Sequence, residues 1–230
     1  MDTLSCDAWS VREVNHQLRR MPLGTSCSVT APRGKHNLGV GLTEEIDLYI
    51  EGNAGYFLGG LGGRSDGTGP DITVDGFVGW SVGENLMGGT VRVKGSASQS
   101  AASSARGGTV MVEGDASLRA GISLKGATLA VAGDVGAMAG FMAQSGTILV
   151  GGDAGHGLGD SLYEAVIYVA GTISSLGADA MVEELVDDDI LAIKRLVELT
   201  GFDHIDPSRV TKVVSARTLY HFSADHHGVY

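Results

Sequence analysis

Residues 147–159 read TILVGGDAGHGLG and residues 109–121 read TVMVEGDASLRAG: a short aliphatic run, a glycine, then small residues ending on another glycine. Aligning the chain on the glycine after each such run yields Gly52, Gly76, Gly95, Gly114, Gly133, Gly152 and Gly171, with a first gap of 24 residues and every later gap of 19. Two residues before these glycines stand Ile50, Val74, Val93, Val112, Val131, Val150 and Val169; four before stand Leu48, Ile72, Val91, Val110, Leu129, Ile148 and Ile167. The residues in between are mixed, from Thr73 and Arg92 to Leu149 and Tyr168. This alternation marks a short strand with one buried face. Two residues past each glycine a small apolar group recurs: Ala54, Val78, Ala97, Ala116, Val135, Ala154 and Ile173.

The segments between the strands are too rich in Gly and Ser to form helices. A chain that returns to its start after each period and stacks on the coil below satisfies the pattern, which is a parallel β-solenoid. The expected fold is all-β: a right-handed parallel β-helix, a single-stranded solenoid of about seven coils spaced about 4.8 Å apart. The right-handed choice follows from the lack of a hexapeptide subrepeat, the mark of left-handed coils of about 18 residues. About 14 inward strand residues would contribute about 1.5–3 kcal/mol each before chain entropy is subtracted. The seven aligned glycines are expected as structural corner residues, where the chain turns sharply, often at positive φ, and where missing side chains let coil walls approach. Further glycines follow three residues on (Gly55, Gly79, Gly136, Gly155) and seven residues on (Gly59, Gly83, Gly121, Gly140, Gly159).

Glycine makes up 36 of 230 residues, about twice the usual share. Four prolines and no triplet period exclude collagen. A net charge of −11 repels phosphate backbones and argues against a nucleic-acid partner. Cys6 and Cys27 are too few for a disulfide framework and have no metal-binding spacing. MDTLSCDAWSVREVN lacks the basic and apolar regions of a signal peptide, and no run of 18 apolar residues exists. No membrane association and a cytoplasmic location are the expectations.

Three regions follow. Residues 1–26 form a lead-in with a short helix over 10–20, opened by a Ser10/Glu13 capping box. Residues 27–177 form the solenoid, with an irregular first coil over 27–42. Residues 178–230 begin with a helix over 178–201, whose Met181, Leu185, Ile190, Ile193, Leu196 and Val197 make an apolar stripe and whose stop is Gly201. A strand over 209–222 and a tail complete the chain. Solenoids need their open ends covered, so the C-terminal helix is expected to cap or to form an interface.

No constellation argues for catalysis by this chain alone: no catalytic residue, no metal site and no cofactor on it are expected. His221, Asp225, His226 and His227 could ligate a metal, but their place favours a tail that is mobile or docked onto a partner. His156, between Gly155 and Gly157, reads as a corner histidine, since neither an acidic partner nor a nucleophile motif accompanies it. Asp115, Asp134 and Asp153 each follow a corner glycine and would stack as a ladder. The nonapeptide of calcium-binding solenoids is absent, so turn residues are the better reading than a Ca²⁺ site. GGLGGRSDGTG at 59–69 lacks the Lys-Ser/Thr of a phosphate loop. A self-sufficient β-helix enzyme, such as a polysaccharide lyase or acyltransferase, would need paired acids or aromatic platforms on successive coils. With Trp9 and Trp80 as the only tryptophans, no such face is expected.

Glycine-cornered coils with the literal run Gly155-His156-Gly157-Leu158-Gly159 resemble the GXGXG domain, the C-terminal β-helix of the glutamate synthase large subunit, also found as the C subunit of formylmethanofuran dehydrogenase. Arg12-x-x-Asn15-x-x-Leu18 followed by NLGVGL is similar to the lead-in of that domain. The tail KVVSARTLYHF and the chain length resemble the free-standing small subunit of N-methylglutamate synthase. The resemblance implies a non-catalytic scaffold in a hetero-oligomer that forms N-methylglutamate from glutamate and methylamine, with the β-helix subunit of another glutamate synthase-like or formylmethanofuran dehydrogenase complex as the alternative. It implies two partners, an amidotransferase-like subunit and a glutamate synthase-like subunit carrying FMN and iron–sulfur clusters.

Overall fold

The computed structural model describes residues 2–217. The expectations placed on His221, Asp225, His226, His227 and the far end of the 209–222 strand lie outside them. Strands β1 (Asp2–Ser5), β2 (Ser26–Thr30), β3 (Asp47–Ile50), β4 (Asp71–Val74), β5 (Thr90–Val93), β6 (Thr109–Val112), β7 (Lys125–Val131), β8 (Ser145–Val150) and β9 (Val166–Val169) pair in chain order, each parallel to the next. The register is the one that the glycine alignment gives: Ile50 faces Val74, Val74 faces Val93, and so on to Val150 and Val169. A second column of parallel bridges runs from Ala54 through Val78, Ala97, Ala116, Val135 and Ala154 to Ile173. The chain is therefore a parallel β-solenoid, and β1 and β2 extend its ladder ahead of the first aligned glycine.

The core holds more than the strand residues. Leu58, Val82, Ala101, Ala120, Ala139 and Leu158 form one further buried column, and Leu86, Ala105, Leu124, Ala143 and Leu162 another. Both lie among glycines and serines in sequence, where no two-residue alternation announces them. In a solenoid the lateral spacing of columns, not the period along one strand, decides what faces inward.

Of the two causes expected for the corner glycines, it is the close approach of the coil walls and not positive φ that applies to most of them. Of the seven, Gly52 alone has a positive φ, 116°. The others are required by the closeness of the coils: a Cβ on Gly95 would stand 2.8 Å from the carbonyl carbon and oxygen of Gly76, and one on Gly171 would stand 2.4 Å from the oxygen of Gly152. Left-handed backbone sits further along each coil. Gly83 (φ 65°) is flanked two residues away on each side by Ser81 (61°) and Asn85 (53°), and the same triple recurs as Arg119, Gly121 and Ser123 and as Met138, Gly140 and Met142. The alternation turns successive amides in opposite directions along the stack. Ser81 and Asn85 donate to the carbonyls of Gln99 and Ser103 on the coil above, while Gly83 donates to Leu58 below, all at 2.8–2.9 Å. A left-handed residue with a side chain costs about 1–2 kcal/mol; bonding to both neighbouring coils offsets it.

Helix α1 (Val11–Leu18) covers the first coil. Ser10 and Glu13 close the expected capping box, with the Ser10 amide donating to Glu13 Oε2 at 2.8 Å. Val14 and Leu18 enter the core. Asn15 clamps the loop beneath: its Nδ2 donates to the Asn37 carbonyl at 2.6 Å, and its Oδ1 accepts from the Gly39 amide at 2.8 Å.

The C-terminal region departs from expectation. Helix α2 spans Asp187–Thr200, and the segment read as its first turns is instead strand β10 (Ala180–Glu183). Strand β11 (Thr211–Ser215) pairs antiparallel to β9, and β10 pairs antiparallel to β11, so these two strands cover the end of the ladder. Pairing overrides the helical pattern there because β11 supplies the hydrogen bonds a helix would have made internally. The helix lies on the outer face of the last coils. Ile193, with Phe202, Ile205 and Val210, covers Met111, Ala130, Leu149 and Tyr168, the positions between the inward strand residues. It is latched at both ends: Arg92 donates to the Thr200 carbonyl at 3.0 Å, and Tyr168 donates to Asp189 Oδ1 at 2.6 Å. Lys212 pairs with Asp189 at 2.9 Å and Glu183 at 2.7 Å. Burial opposes ionisation of Asp189, yet the bonds from Tyr168, the Val186 amide and Lys212 outweigh it and hold the carboxyl below its ordinary value.

Candidate functional site

Stacking in register turns each sequence position into a column. Just past the corner glycines, Ala54, Val78, Ala97, Ala116, Val135 and Ala154 form a floor, bordered by the small residues Gly55, Gly79, Ser98, Ser117, Gly136 and Gly155. On one side rises the column Asn53, Phe77, Ser96, Asp115, Asp134 and Asp153; on the other rises Tyr56, Trp80, Gln99, Leu118, Ala137 and His156. The result is a furrow along the solenoid. At one end it opens into a cavity of about 560 Å³ lined by Arg33, His36, Glu51, Tyr56 and Phe77. Further along the same columns lies a second, separate hollow of about 380 Å³ lined by Ser96, Asp115, Ser117 and Asp134.

The first end is aromatic. His36 stacks on Tyr56 with ring centres 4.2 Å apart, and Tyr56 stacks on Trp80 at 5.1 Å. His36 Nδ1 accepts from the Tyr56 amide at 2.9 Å, which fixes the ring. Tyr56, Phe77 and Trp80 are 45%, 46% and 48% exposed, and the Tyr56 ring lies between those of His36 and Trp80. This corrects the expectation that no aromatic face exists on successive coils. The stack was hidden because its members lie one coil apart: His36 belongs to the irregular first coil, and Tyr56 to Trp80 spans the longer 24-residue one.

The far end is acidic. Asp115, Asp134 and Asp153 each accept, through Oδ1, the amide of the residue one coil on: Asp134, Asp153 and Thr172 at 2.9, 2.7 and 2.7 Å. Asn53 and Ser96 do the same for Phe77 and Asp115. The ladder is thus a turn device that ties coil to coil, and the bond from Thr172 lowers the carboxyl value of Asp153. Asp153 is held by Thr172 through both its amide and its side chain, and among the described residues no group of three metal-type side chains lies together.

His156 is exposed on the same wall. Its Nδ1 lies 3.5 Å from Ser175 Oγ, which accepts the Gly157 amide at 3.0 Å. Ser175 sits one coil after His156, an approach that only the period reveals. The loop over 59–69 closes on itself: Arg64 donates to the Thr68 carbonyl at 2.8 Å, and the Thr68 amide donates to Asp66 at 3.0 Å. An amide already held by a carboxylate offers little to a phosphate. Cys6 and Cys27 are free, buried thiols, each pushed up by that burial. No helix among the described residues is long and apolar enough to cross a membrane.

Fold and furrow define a glycine-cornered parallel β-solenoid whose corners carry an aromatic-to-acidic groove. No protein-family profile matches the chain. It is 46% identical over 223 residues to Protein GlxC of Rhizobium meliloti (strain 1021), covering 96% of each chain. At that identity and coverage, the chain belongs to the GlxC family.

Proposed function

We propose that this chain is a non-catalytic scaffold subunit of a glutamate synthase-like complex in the cytoplasm, and specifically of an N-methylglutamate synthase. It packs between an amidotransferase-like subunit and a subunit carrying FMN and iron–sulfur clusters, and holds their active sites in register while glutamate and methylamine are converted to N-methylglutamate and ammonia. The observation that carries the reading is the stacked left-handed triple around Gly59, Gly83, Gly121, Gly140 and Gly159, which takes in Gly157 and Gly159 of the run Gly155-His156-Gly157-Leu158-Gly159. Coils bonded to both neighbours at nearly every corner make a stiff rod, a suitable spacer between catalytic domains.

The test is purification of the tagged full-length chain from its own cells under mild conditions. A flavin-bearing and an amidotransferase-like chain are expected to co-elute, and the pooled complex is expected to form N-methylglutamate. A chain that elutes alone and turns over a substrate unaided would refute the proposal.

A further inference from the structure

We infer that the corner groove is a docking channel for an extended basic segment of a partner polypeptide, its apolar or aromatic anchor at the Tyr56–Trp80 end and its Lys or Arg residues along Asp115, Asp134 and Asp153. The inference deepens the scaffold reading and rests on it for the existence of a partner.

The dimensions select the occupant. Six coils from Asn53 to Asp153, about 4.8 Å apart, make a channel about 24 Å long, which an extended chain spans with about seven residues. The walls stand three positions apart in each coil, at most about 10 Å. A helix with its side chains is about 10–12 Å across and does not seat there. The floor offers no strand edge to pair with, because its amides and carbonyls are used between coils, as in Ala97 to Asp115 at 2.8 Å and Ser98 to Val78 at 3.0 Å. Recognition therefore falls to the wall side chains. A sugar is disfavoured on the central ring, since both faces of Tyr56 are taken by His36 and Trp80.

The walls also fix polarity. The Tyr56 hydroxyl and the Trp80 indole N–H have no partner among the described residues and point to carbonyl acceptors on an incoming chain. Three exposed aspartates one coil apart, each held through Oδ1 by the next coil, present negative charge at intervals of about 4.8 Å. Cations on a passing segment complement that row.

The experiment uses the complex as isolated. A photo-reactive residue replaces Gln99 in the groove wall, and a control copy replaces exposed Glu198 on α2. Cross-linking from position 99 into one partner segment with an apolar or aromatic residue and nearby Lys or Arg is the expected result. The double variant Tyr56→Ala/Trp80→Ala should bind the partner roughly 10- to 100-fold more weakly, as for aromatic interface anchors. The triple variant Asp115→Asn/Asp134→Asn/Asp153→Asn keeps the amide-accepting oxygens; it should bind about tenfold more weakly at low salt and equal to wild type at high salt. Unchanged melting temperatures would show that both variants are folded. If the complex assembles equally well with both variants, or cross-links form only from position 198 or only to a second copy of this chain, the groove assignment is overturned and the scaffold reading stands. If wild type captures no partner, both fall.

Discussion

Replacing Gly95 by alanine separates two explanations of the corner glycines. Gly95 has no positive φ, so alanine suits its backbone, and any penalty is contact alone. The added Cβ would stand 2.8 Å from the Gly76 carbonyl and 3.0 Å from the Phe77 nitrogen, both main-chain groups. Ordinary contact begins at 3.4 Å, so the coils must part by about 0.6 Å. They are tied there by Gly95 to Gly76 at 3.2 Å and Gly114 to Gly95 at 3.1 Å. Overpacking of about 1–3 kcal/mol and weakening of two hydrogen bonds worth about 1 kcal/mol each, less about 0.5 kcal/mol regained from a stiffer unfolded chain, leave about 3 kcal/mol. At about 2–4 °C per kcal/mol for a chain of this length, the melting temperature falls by roughly 6–12 °C. Gly41→Ala is the control: its φ is 66° and nothing lies within 4 Å, so only conformation is penalised, at about 1 kcal/mol. Thermal and urea unfolding followed by circular dichroism read both. Should Gly95→Ala melt at or above Gly41→Ala, the close-approach explanation is wrong.

Val112 is fully buried in the strand column, and Val112→Asp places an unpaired charge there at a cost of several kcal/mol; loss of the folding transition in urea is expected, and an unchanged midpoint would break the coil alignment. Asp134→Ala removes the acceptor for the Asp153 amide and should cost about 1 kcal/mol, whereas Asp134→Asn should be near neutral, because Asn53 already does the same for Phe77; added calcium should leave the wild-type melting temperature unmoved. For Asp189 the folded value is depressed, so its contribution is complete above the ordinary value of 3.8 and is lost as pH falls through the lowered one. Hydrogen exchange of α2 should accelerate in acid ahead of the solenoid strands, and Asp189→Asn should abolish that acid dependence.

The fold was legible in the sequence because a solenoid is almost one-dimensional: each coil contacts its neighbours, so the 19-residue spacing of Val93, Val112, Val131, Val150 and Val169 is itself the contact map. The Ser10 cap was equally readable, being local chemistry four residues long. What lay beyond was decided between columns rather than within them. The segment 178–186 carries a helical apolar stripe, yet β11, some thirty residues later, recruits Ala180–Glu183 as a strand. Met111, Ala130, Leu149 and Tyr168 look like the solvent side of the strands until α2 folds back over them. The groove shows the same division. Its acidic wall was visible as a spacing, but its aromatic end joins His36, Tyr56 and Trp80 across an irregular coil and a 24-residue one. A strict period set the stack; side-chain packing across broken periods, and a helix returning along the outside, were settled only when the chain was folded.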